Sequence, residues 1–419
     1  MLRLPSEPRT GWRATVESQG LSFAVDRDQS GTEQIYWNES AYYLFSEEEI
    51  TTLEQVTERL HGMCWQAVQR MAEDPGLTVR MGLEPEVHEL LKASVAQAGA
   101  GEDLSLYGRF DLFWDGTGPP KMLEYNADTP AGLVEASVIQ WFWLQDVYPH
   151  RDQWNMLHER LVQRWGLLED RMPGRIVHFA VGQNEPTEDW ATVAYLRDTA
   201  QEAGLTALGI TMEELGWHHA DRRFVDSHSR PVDVCFKLYP WDWMLQEPFG
   251  EHLLPGGAPT RWIEPAWKLL AGSKALLAVL WEMFPGHENL VPAFLDSPRG
   301  MERYVSKPVF GWEGAGIEVV TQDGHHRQDA AHTLGQAPVF QEYIDPPNFQ
   351  GHHPVLGTWM IGPHSAGLGV RESGGPVTDT SGQFVPHVLD TSPATSEQIR
   401  QWLDEPVPPT GPPQRGPVG

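Results

Sequence analysis

Apolar positions along the chain change their spacing several times, and each spacing predicts a different element. Between residues 46 and 75 they recur at three- and four-residue intervals, which predicts an amphipathic helix. Ser46 followed by Glu49 has the spacing of a capping box, so the helix should begin there. Residues 85–99 predict a second helix. Residues 130–149 are apolar nearly all round, which predicts a buried helix.

The pattern changes near residue 173, where short apolar runs alternate with an amphipathic segment. The stretches "GRIVHFAVG" and "LTALGI" are typical of strands, and "EDWATVAYLRDTAQEAG" between them is typical of a helix. This β-α-β order predicts a small parallel sheet of Rossmann type. The segment lacks G-x-G-x-x-G, so a dinucleotide site has no support. The last residues, 396–419, are rich in Pro and Gly and predict a disordered tail.

The stretch "YGRFDLFWDGTGPPKMLEYNADTP" at 107–130 alternates polar and apolar positions around a turn, which predicts a β-hairpin. Pairing its arms from the turn outwards predicts three cross-strand pairs: Trp114 with Lys121, Asp111 with Glu124, and Arg109 with Asn126. The last four side chains would then share one face. Two opposed carboxylates repel unless a cation lies between them.

Carboxylate and amide oxygens at this place suit a hard cation that holds a phosphate, with a guanidinium nearby. The alternative from spacing alone is a sheet face on which Arg109 simply neutralises Asp111. The two interpretations stay open at this point.

Two lysines later in the chain have the setting of phosphate contacts. Lys307 is followed by the glycine-rich stretch "GWEGAG", whose backbone can approach phosphates closely, although a plain glycine-rich hairpin has the same pattern. Lys274 stands at the start of a predicted helix, where an anion is also favoured. The stretch "VFQEYI" at 339–344 is either a core strand or a strand and hinge whose backbone reads adenine.

Arg371, in "GVRES", has two interpretations as well. It can stabilise charge on a transferring phosphoryl group. It can equally pair at the surface with Glu372 or Asp379.

Composition narrows the classes of function. The chain has 419 residues, 40% of them hydrophobic, and a net charge of −28, which argues against nucleic acid as a partner. That charge favours a cationic substrate such as a polyamine, or serves solubility alone. Two cysteines exclude a disulfide framework and a multi-cysteine metal site. The sequence lacks an apolar signal-peptide region and any run of membrane-spanning length, so we expect a cytoplasmic protein.

Several stretches, in this order, resemble glutathionylspermidine synthase-type ATP-grasp ligases. They are "YGRFDLFWDG", "KMLEYNADTPAGLVEASVIQWFWLQD", "WKLLAGSKALLAVLWEMFPGHENLVPAF", "YVSKPVFGWEGAGI", "VFQEYI", "GTWMIG", "AGLGVRES" and "FVPH". The resemblance runs from about residue 12 to about residue 390. It is greatest to the short stand-alone members that lack an amidase domain, so hydrolysis of glutathionylspermidine is not expected.

The resemblance implies an α/β (α+β) chain with an ATP-grasp fold, a pre-ATP-grasp Rossmann-like subdomain and helical N-terminal elements. It implies four parts: N-terminal helices with the hairpin (1–170), the Rossmann-like subdomain (171–262), the nucleotide-binding subdomains (263–395) and the tail (396–419). ATP and Mg²⁺ would bind between two subdomains.

The resemblance also implies roles for individual residues by motif position. Magnesium ligands would be Asp111, Glu124 and Asn126; ATP contacts would be Lys274, Lys307, Gly311, Gly314, Gly316, Gln341, Glu342 and Ile344; acid-substrate contacts would be Arg109 and Thr129; and the catalytic residues would be Arg109 and Arg371.

The expected reaction is ATP-dependent formation of an amide from a peptide-like carboxylate and an amine through an acyl phosphate. The identity of both substrates does not carry over from the family, although a polyamine is one option for the amine. A phosphotransferase and a non-catalytic nucleotide-binding regulator on the same fold are the alternatives. A glycosidase that uses Asp111 and Glu124 is more distant and would be indifferent to ATP.

Overall fold

The computed structural model describes residues 1–27, 33–311, 314–322, 324–327, 336–375 and 382–390. The predicted tail, residues 312–313 of the glycine-rich stretch and Asp379 lie outside these residues. The α-helices are α1 Trp12–Ser18, α2 Glu47–Ala72, α3 Pro75–Arg80, α4 Val87–Gly99, α5 Gln140–Val147, α6 Leu157–Leu168, α7 Thr187–Glu202, α8 Trp241–Gln246, α9 Trp267–Gly272 and α10 Ala275–Met283.

The strands are β1 Leu2–Pro5, β2 Val25–Arg27, β3 Glu33–Ile35, β4 Ala41–Ser46, β5 Tyr107–Phe113, β6 Lys121–Asn126, β7 Ile176–Val181, β8 Thr206–Thr211, β9 Gly216–His218, β10 Arg223–Val225, β11 Val234–Leu238, β12 Arg261–Ile263, β13 Ala293–Phe294, β14 Tyr304–Pro308, β15 Glu318–Thr321, β16 Gly324–Arg327, β17 Pro338–Glu342, β18 His353–Ile361, β19 His364–Ser373, β20 Gln383–Val385 and β21 His387–Asp390. No helix among the described residues is long and apolar enough to cross a bilayer.

The long helix α2 begins where the capping box predicts. The Ser46 hydroxyl accepts the backbone N–H of Glu49, and the Glu49 carboxylate accepts the backbone N–H of Ser46. The predicted buried helix of residues 130–149 is less regular. It consists of a π-helical turn, Glu135–Ile139, followed by α5. Trp141 and Phe142 are 41% and 45% exposed, so the expectation of burial all round is wrong for α5.

The predicted small parallel sheet is present. Its strand order is β12–β11–β7–β8, all neighbours are parallel, and α7 connects β7 to β8. Phe179 and Phe236 lie side by side in its buried core. The order reverses between β7 and β11, a position at which open α/β sheets commonly bind ligands.

The hairpin of β5 and β6 forms one edge of an antiparallel sheet with the order β20–β19–β18–β5–β6. The polar pairs are as predicted: Asp111 faces Glu124, and the pair before it is also in register. A bulge follows Asp111, and beyond it the strands shift by one residue, so that Phe113 faces Lys121. The predicted pairing of Trp114 with Lys121 is therefore wrong, because the bulge lies between the polar pairs and the turn.

A second antiparallel sheet, β13–β17–β14–β15–β16, packs against the hairpin. Gln341 of β17 donates to the backbone oxygen of Met122, and Lys307 of β14 donates to that of Leu123. The backbone N–H of Lys274, the residue before α10, donates to the oxygen of Val309 just beyond β14. These contacts bring both predicted phosphate-binding lysines to the hairpin.

Candidate functional site

The two carboxylates of the hairpin face each other, and each is balanced by a cation. Arg109 donates two hydrogen bonds to Asp111, at 2.6 Å and 2.9 Å. The Lys274 Nζ atom lies 3.0 Å from a Glu124 oxygen. Asn126 donates to Glu124 at 2.9 Å and to Asp111 at 3.4 Å. The flanking cations allow two opposed negative charges to remain together.

Asp111, Glu124 and Asn126 carry side-chain oxygens of the type that Mg²⁺ prefers, and the Asn126 amide here turns its nitrogen toward both carboxylates. The present partners of the two carboxylates, Arg109 and Lys274, are both cationic, so a divalent ion would meet the same need for positive charge. The alternative in which Arg109 neutralises Asp111 is also observed. This ion pair neutralises Asp111 only, and Glu124 on the opposite strand is balanced by Lys274.

Lys307 approaches the same place from the second sheet. Its Nζ atom donates to Leu123 at 3.1 Å and to the Gln341 side-chain oxygen at 2.8 Å. Lys307 is only 7% exposed, and burial lowers its pKa to about 8, assisted by repulsion from Lys274 and opposed by Glu124.

The pKa of Glu124 is also lowered, but for a different reason. Burial alone would raise its pKa, but Lys274 and Lys307 together hold it well below its ordinary value. We call Glu124, Lys274 and Lys307 the charged trio. The charged trio has one more positive than negative charge, which suits an anion such as a nucleotide phosphate.

A narrow cleft with a volume of about 10 Å³ lies beside the hairpin, and Arg109 and Arg371 are in its lining. Arg109 is fixed, because Asp111 and the backbone oxygen of Ala131 both accept its hydrogen bonds. Although burial opposes it, Asp111 raises the pKa of Arg109 and keeps the guanidinium charged. The buried Nε atom of Arg371 has no hydrogen-bond partner within the described part of the chain. One fixed and one available guanidinium therefore line the same cleft.

The predicted alternative for Arg371, an ion pair with Glu372, is wrong. Successive side chains of a strand point to opposite faces, and Glu372 accepts hydrogen bonds from Arg3 at 2.7 Å and 2.8 Å and from Tyr43 at 2.7 Å. The Arg371 guanidinium instead lies over the ring of Phe384, 5.7 Å from its centre.

The remaining predicted ATP contacts lie in or next to the strands of the second antiparallel sheet. Gly314 and Gly316 have φ angles of 73° and 70°, a backbone conformation that glycine adopts without strain. Gly311 follows β14, exposed Glu342 ends β17, and Ile344 lies just beyond it. Their contact with ATP stays a prediction.

Thr129 is half-buried in the loop after β6. The residue before it, Asp128, accepts hydrogen bonds from Lys237 Nζ at 2.5 Å and from the Trp241 N–H at 2.8 Å. This loop therefore joins the hairpin to the carboxyl end of β11.

An acidic group near Arg371 was not among the predicted residues. Glu135 is 1% exposed and accepts a hydrogen bond from the Tyr36 hydroxyl at 2.6 Å. Glu188 accepts a backbone N–H of the loop after β6 at 3.1 Å. Burial, together with repulsion from Glu188, raises the pKa of Glu135 to about 8, while Tyr36 and Arg371 act against that shift. The signal available was a glutamate inside a run predicted to be buried.

The fold has a counterpart among solved structures. A glutathione synthetase-like effector from Globodera pallida superposes with a TM-score of 0.54 and 11% identity, covering 90% of this chain and 98% of that one. At this identity the likeness defines the class of fold alone, a mixed α/β fold of the glutathione synthetase type.

Sequence comparison gives the family. Residues 3–390 match "Glutathionylspermidine synthase preATP-grasp", and the chain belongs to that family, which confirms the resemblance seen in the sequence. A protein named "Putative acid--amine ligase" from Haemophilus influenzae is 35% identical over 368 residues, 84% of this chain and 90% of that protein. The bifunctional glutathionylspermidine synthetase/amidase of Escherichia coli is 23% identical over 358 residues, and the match covers 79% of this chain and 56% of that enzyme.

Proposed function

We propose that the chain is an ATP- and Mg²⁺-dependent ligase that joins a carboxylate to an amine through an acyl phosphate. One observation carries the proposal: the charged trio and the cleft with two arginines share the hairpin of β5 and β6. A phosphate site and a carboxylate site side by side are what phosphorylation of an acid requires. The family and the ligase names of its relatives support the same class.

In this proposal the sheet that carries Lys307 and the sheet that carries the hairpin are the two halves of an ATP-grasp fold. The parallel sheet is the pre-ATP-grasp subdomain, and the boundaries expected after residues 170 and 262 stay predictions. The backbone of residues 341–344 would contact adenine, and the glycine-rich loop with Gly311, Gly314 and Gly316 would cover the phosphates.

The first step activates the acid. Its carboxylate binds beside Arg109 and Thr129, and a carboxylate oxygen attacks the γ-phosphorus of ATP while the bond from that phosphorus to the ADP oxygen breaks. Lys274 and Lys307 stabilise the phosphate oxygens, and Arg371 stabilises the phosphoryl group in transfer.

Asp111, Glu124 and Asn126 would hold Mg²⁺, which supplies charge neutralisation at the phosphates.

The second step forms the amide. The amine nitrogen attacks the carbonyl carbon of the acyl phosphate, the bond from that carbon to the phosphate oxygen breaks, and phosphate leaves. The nitrogen must lose a proton, and in this proposal Glu135, whose pKa is influenced by the nearby Arg371, accepts it. Its pKa of about 8 suits a base that works close to neutral pH.

A screen of carboxylates against amines, polyamines included, tests the proposal. ADP release is measured for each acid alone, each amine alone and each pair, and products are weighed by mass spectrometry. We expect ADP release only with a matched pair, and a product equal in mass to acid plus amine minus water. Transfer of phosphate from ATP to the acid in the absence of an amine would favour a phosphotransferase. Tight ATP binding without turnover for any pair in the screen would favour a non-catalytic nucleotide-binding regulator.

We also propose a cytoplasmic location for this reaction. ATP is available there, and the two buried, unpaired cysteines, Cys64 and Cys235, suit a reducing compartment.

A further inference from the structure

The cleft with two arginines lies on one face of the antiparallel sheet that contains the hairpin. On this face Arg109 is opposite Trp359 of β18, and Asp111 is opposite Gly357. Gly357 is in turn opposite Gly369 of β19. Because side chains two apart on a strand share a face, the polar face of the hairpin continues across β18 and β19. The two facing glycines leave part of that face without side chains.

Two hydrogen-bond donors in the lining of this cleft are buried and have no partner among the described residues. They are the indole Nε1 of the fully buried Trp359 and the Nε of Arg371. Arg109 differs, because its three guanidinium nitrogens all donate, two of them to Asp111 and one to the backbone oxygen of Ala131. Buried donors are nearly always hydrogen-bonded in native proteins, so two unpartnered donors in one lining indicate an acceptor that binds there.

The space beside these donors suits a single oxygen atom. The volume of the cleft, about 10 Å³, is about the room that one water molecule needs. A Cβ built on Gly369 would lie 3.9 Å from Trp359 Nε1 and 3.3 Å from the Phe384 ring. The Arg371 guanidinium lies 5.7 Å from the centre of the same ring. The absence of a side chain at Gly369 therefore keeps the space next to the indole N–H open.

The chemistry of the lining favours an anionic oxygen over a water molecule. Both oxygens of Asp111, the carboxylate in the lining, already accept hydrogen bonds from Arg109. The two unpartnered groups are donors, and one of them belongs to a charged guanidinium. An anionic oxygen only accepts hydrogen bonds, whereas a water molecule must also donate its own. Hydrogen bonds to an ionised acceptor are also the stronger ones.

We propose that Trp359 is a binding residue of this site, and that its indole N–H and the Arg371 guanidinium together hold one anionic oxygen of the reacting groups. That oxygen belongs either to the phosphoryl group in transfer or to the carboxylate that receives it. The inference rests on the proposed function only in naming these two sources. Donors that are fixed in advance stabilise charge on such an oxygen most effectively, and the Trp359 ring is fixed by stacking at 6.0 Å on Tyr107.

The indole N–H resonances of the unaltered chain test the inference without turnover. The Trp359 resonance is the one missing from a proton–nitrogen correlation spectrum of Trp359→Phe, a change that keeps an aromatic ring and removes the donor. It is also the one that Gly369→Ala displaces, because the added methyl group lies 3.9 Å from Nε1. The assignment therefore does not depend on the folding of Trp359→Phe.

Two probes distinguish the two sources of the oxygen. Sodium acetate supplies a carboxylate, and Mg·ADP with aluminium fluoride supplies a mimic of the phosphoryl group in transfer. We expect at least one probe to move the Trp359 proton to lower field, and the probe that does so identifies the source. Trp143 is the matched control, because its indole Nε1 is also buried and unpartnered among the described residues but lies outside the cleft lining. Its resonance should respond to neither probe.

The two variants then test the site itself. Gly369→Ala fills the space and keeps both donors, so it should abolish the response of Trp359 to the probes. Trp359→Phe should weaken binding of the active probe by about 10- to 100-fold in titration calorimetry, because a hydrogen bond to a charged group is lost. Mg·ADP alone should bind as before. A Trp359 resonance that responds to neither probe, an unchanged response in Gly369→Ala, or unchanged affinity in Trp359→Phe would overturn the inference.

The ADP-release screen separates this inference from the proposed function. A response of the Trp359 resonance without turnover for any pair leaves the oxygen site standing and defeats the ligase. Turnover without that response does the reverse.

Discussion

Replacing Lys307 by methionine separates a role in nucleotide binding from a role in folding. In the folded chain, burial takes the pKa of Lys307 from 10.5 to about 8. At about 1.36 kcal/mol per pKa unit, keeping this ammonium charged near pH 7 costs about 3 kcal/mol. Methionine has a similar length and removes that cost. It also leaves the acceptors on Leu123 and Gln341 without their donor, at about 1–3 kcal/mol each.

The two effects nearly cancel, so we expect Lys307→Met to change the free energy of unfolding by no more than about 3 kcal/mol. Binding of Mg·ATP should weaken by about 10- to 100-fold, because a charge-assisted hydrogen bond to phosphate is lost. Denaturant unfolding gives the first quantity, and titration calorimetry gives the second. Lys121→Met is the control, since Lys121 lies on the same hairpin and donates to the Glu288 backbone oxygen outside the charged trio.

The dependence of stability on pH gives a further check on Lys307. Its folded pKa lies below its unfolded pKa, so between about pH 8 and pH 10.5 the unfolded chain binds more protons. The unaltered chain should therefore gain stability as pH rises through that window, and Lys307→Met should lack this contribution. A folded Lys307→Met protein that binds Mg·ATP as tightly as the unaltered chain would refute the assignment of Lys307 to the nucleotide.

Three other substitutions test other parts of the site. Glu135→Gln should lower the rate of amide formation by about 100-fold. It should also remove the increase in rate toward about pH 8 that a carboxylate base gives. An unchanged pH profile of ADP release would exclude Glu135 as the base. Asp111→Asn should lower turnover by at least about 100-fold and raise the Mg²⁺ concentration needed for half-maximal activity, while the melting temperature stays close to normal. An unaltered dependence of activity on Mg²⁺ would count against Asp111 as a ligand. Gly132→Ala places a Cβ 2.5 Å from the Phe384 ring, at a residue whose φ angle is 81°. The free energy of unfolding, measured in urea, should therefore fall by about 1–3 kcal/mol, and Phe384→Leu in the same chain should restore part of it. Normal stability of Gly132→Ala would contradict this contact.

The parts of the site that the sequence predicts depend on local rules. Side-chain alternation places Asp111 and Arg109 on one face of their strand, and the predicted register places Asp111 opposite Glu124, although it was counted from a pair at the turn that the bulge displaces. The capping box at Ser46 is equally local, because both of its hydrogen bonds lie within four residues. The bulge after Asp111 was not predicted, since it depends on how β5 fits both neighbouring strands at once.

Contacts between distant parts of the chain lay beyond local rules. Glu135 and Tyr36 are 99 residues apart, and only the folded chain brings them together. The partner of Glu372 was misjudged for the same reason: neighbours in sequence point apart on a strand, and Arg3 is 369 residues away. The convergence of Lys274 and Lys307 on Glu124 entered only through family resemblance. Spacing alone does not say which lysine meets which carboxylate.

The bulge after Asp111 gives the tip of the hairpin a register that differs by one residue from the register at the two carboxylates. Space is also available near the tip, because nothing lies within 4 Å of a Cβ built on Gly118. A fluorescent label attached there would lie on the same hairpin as Asp111 and Glu124, so its emission would test whether the nucleotide binding proposed above changes their surroundings.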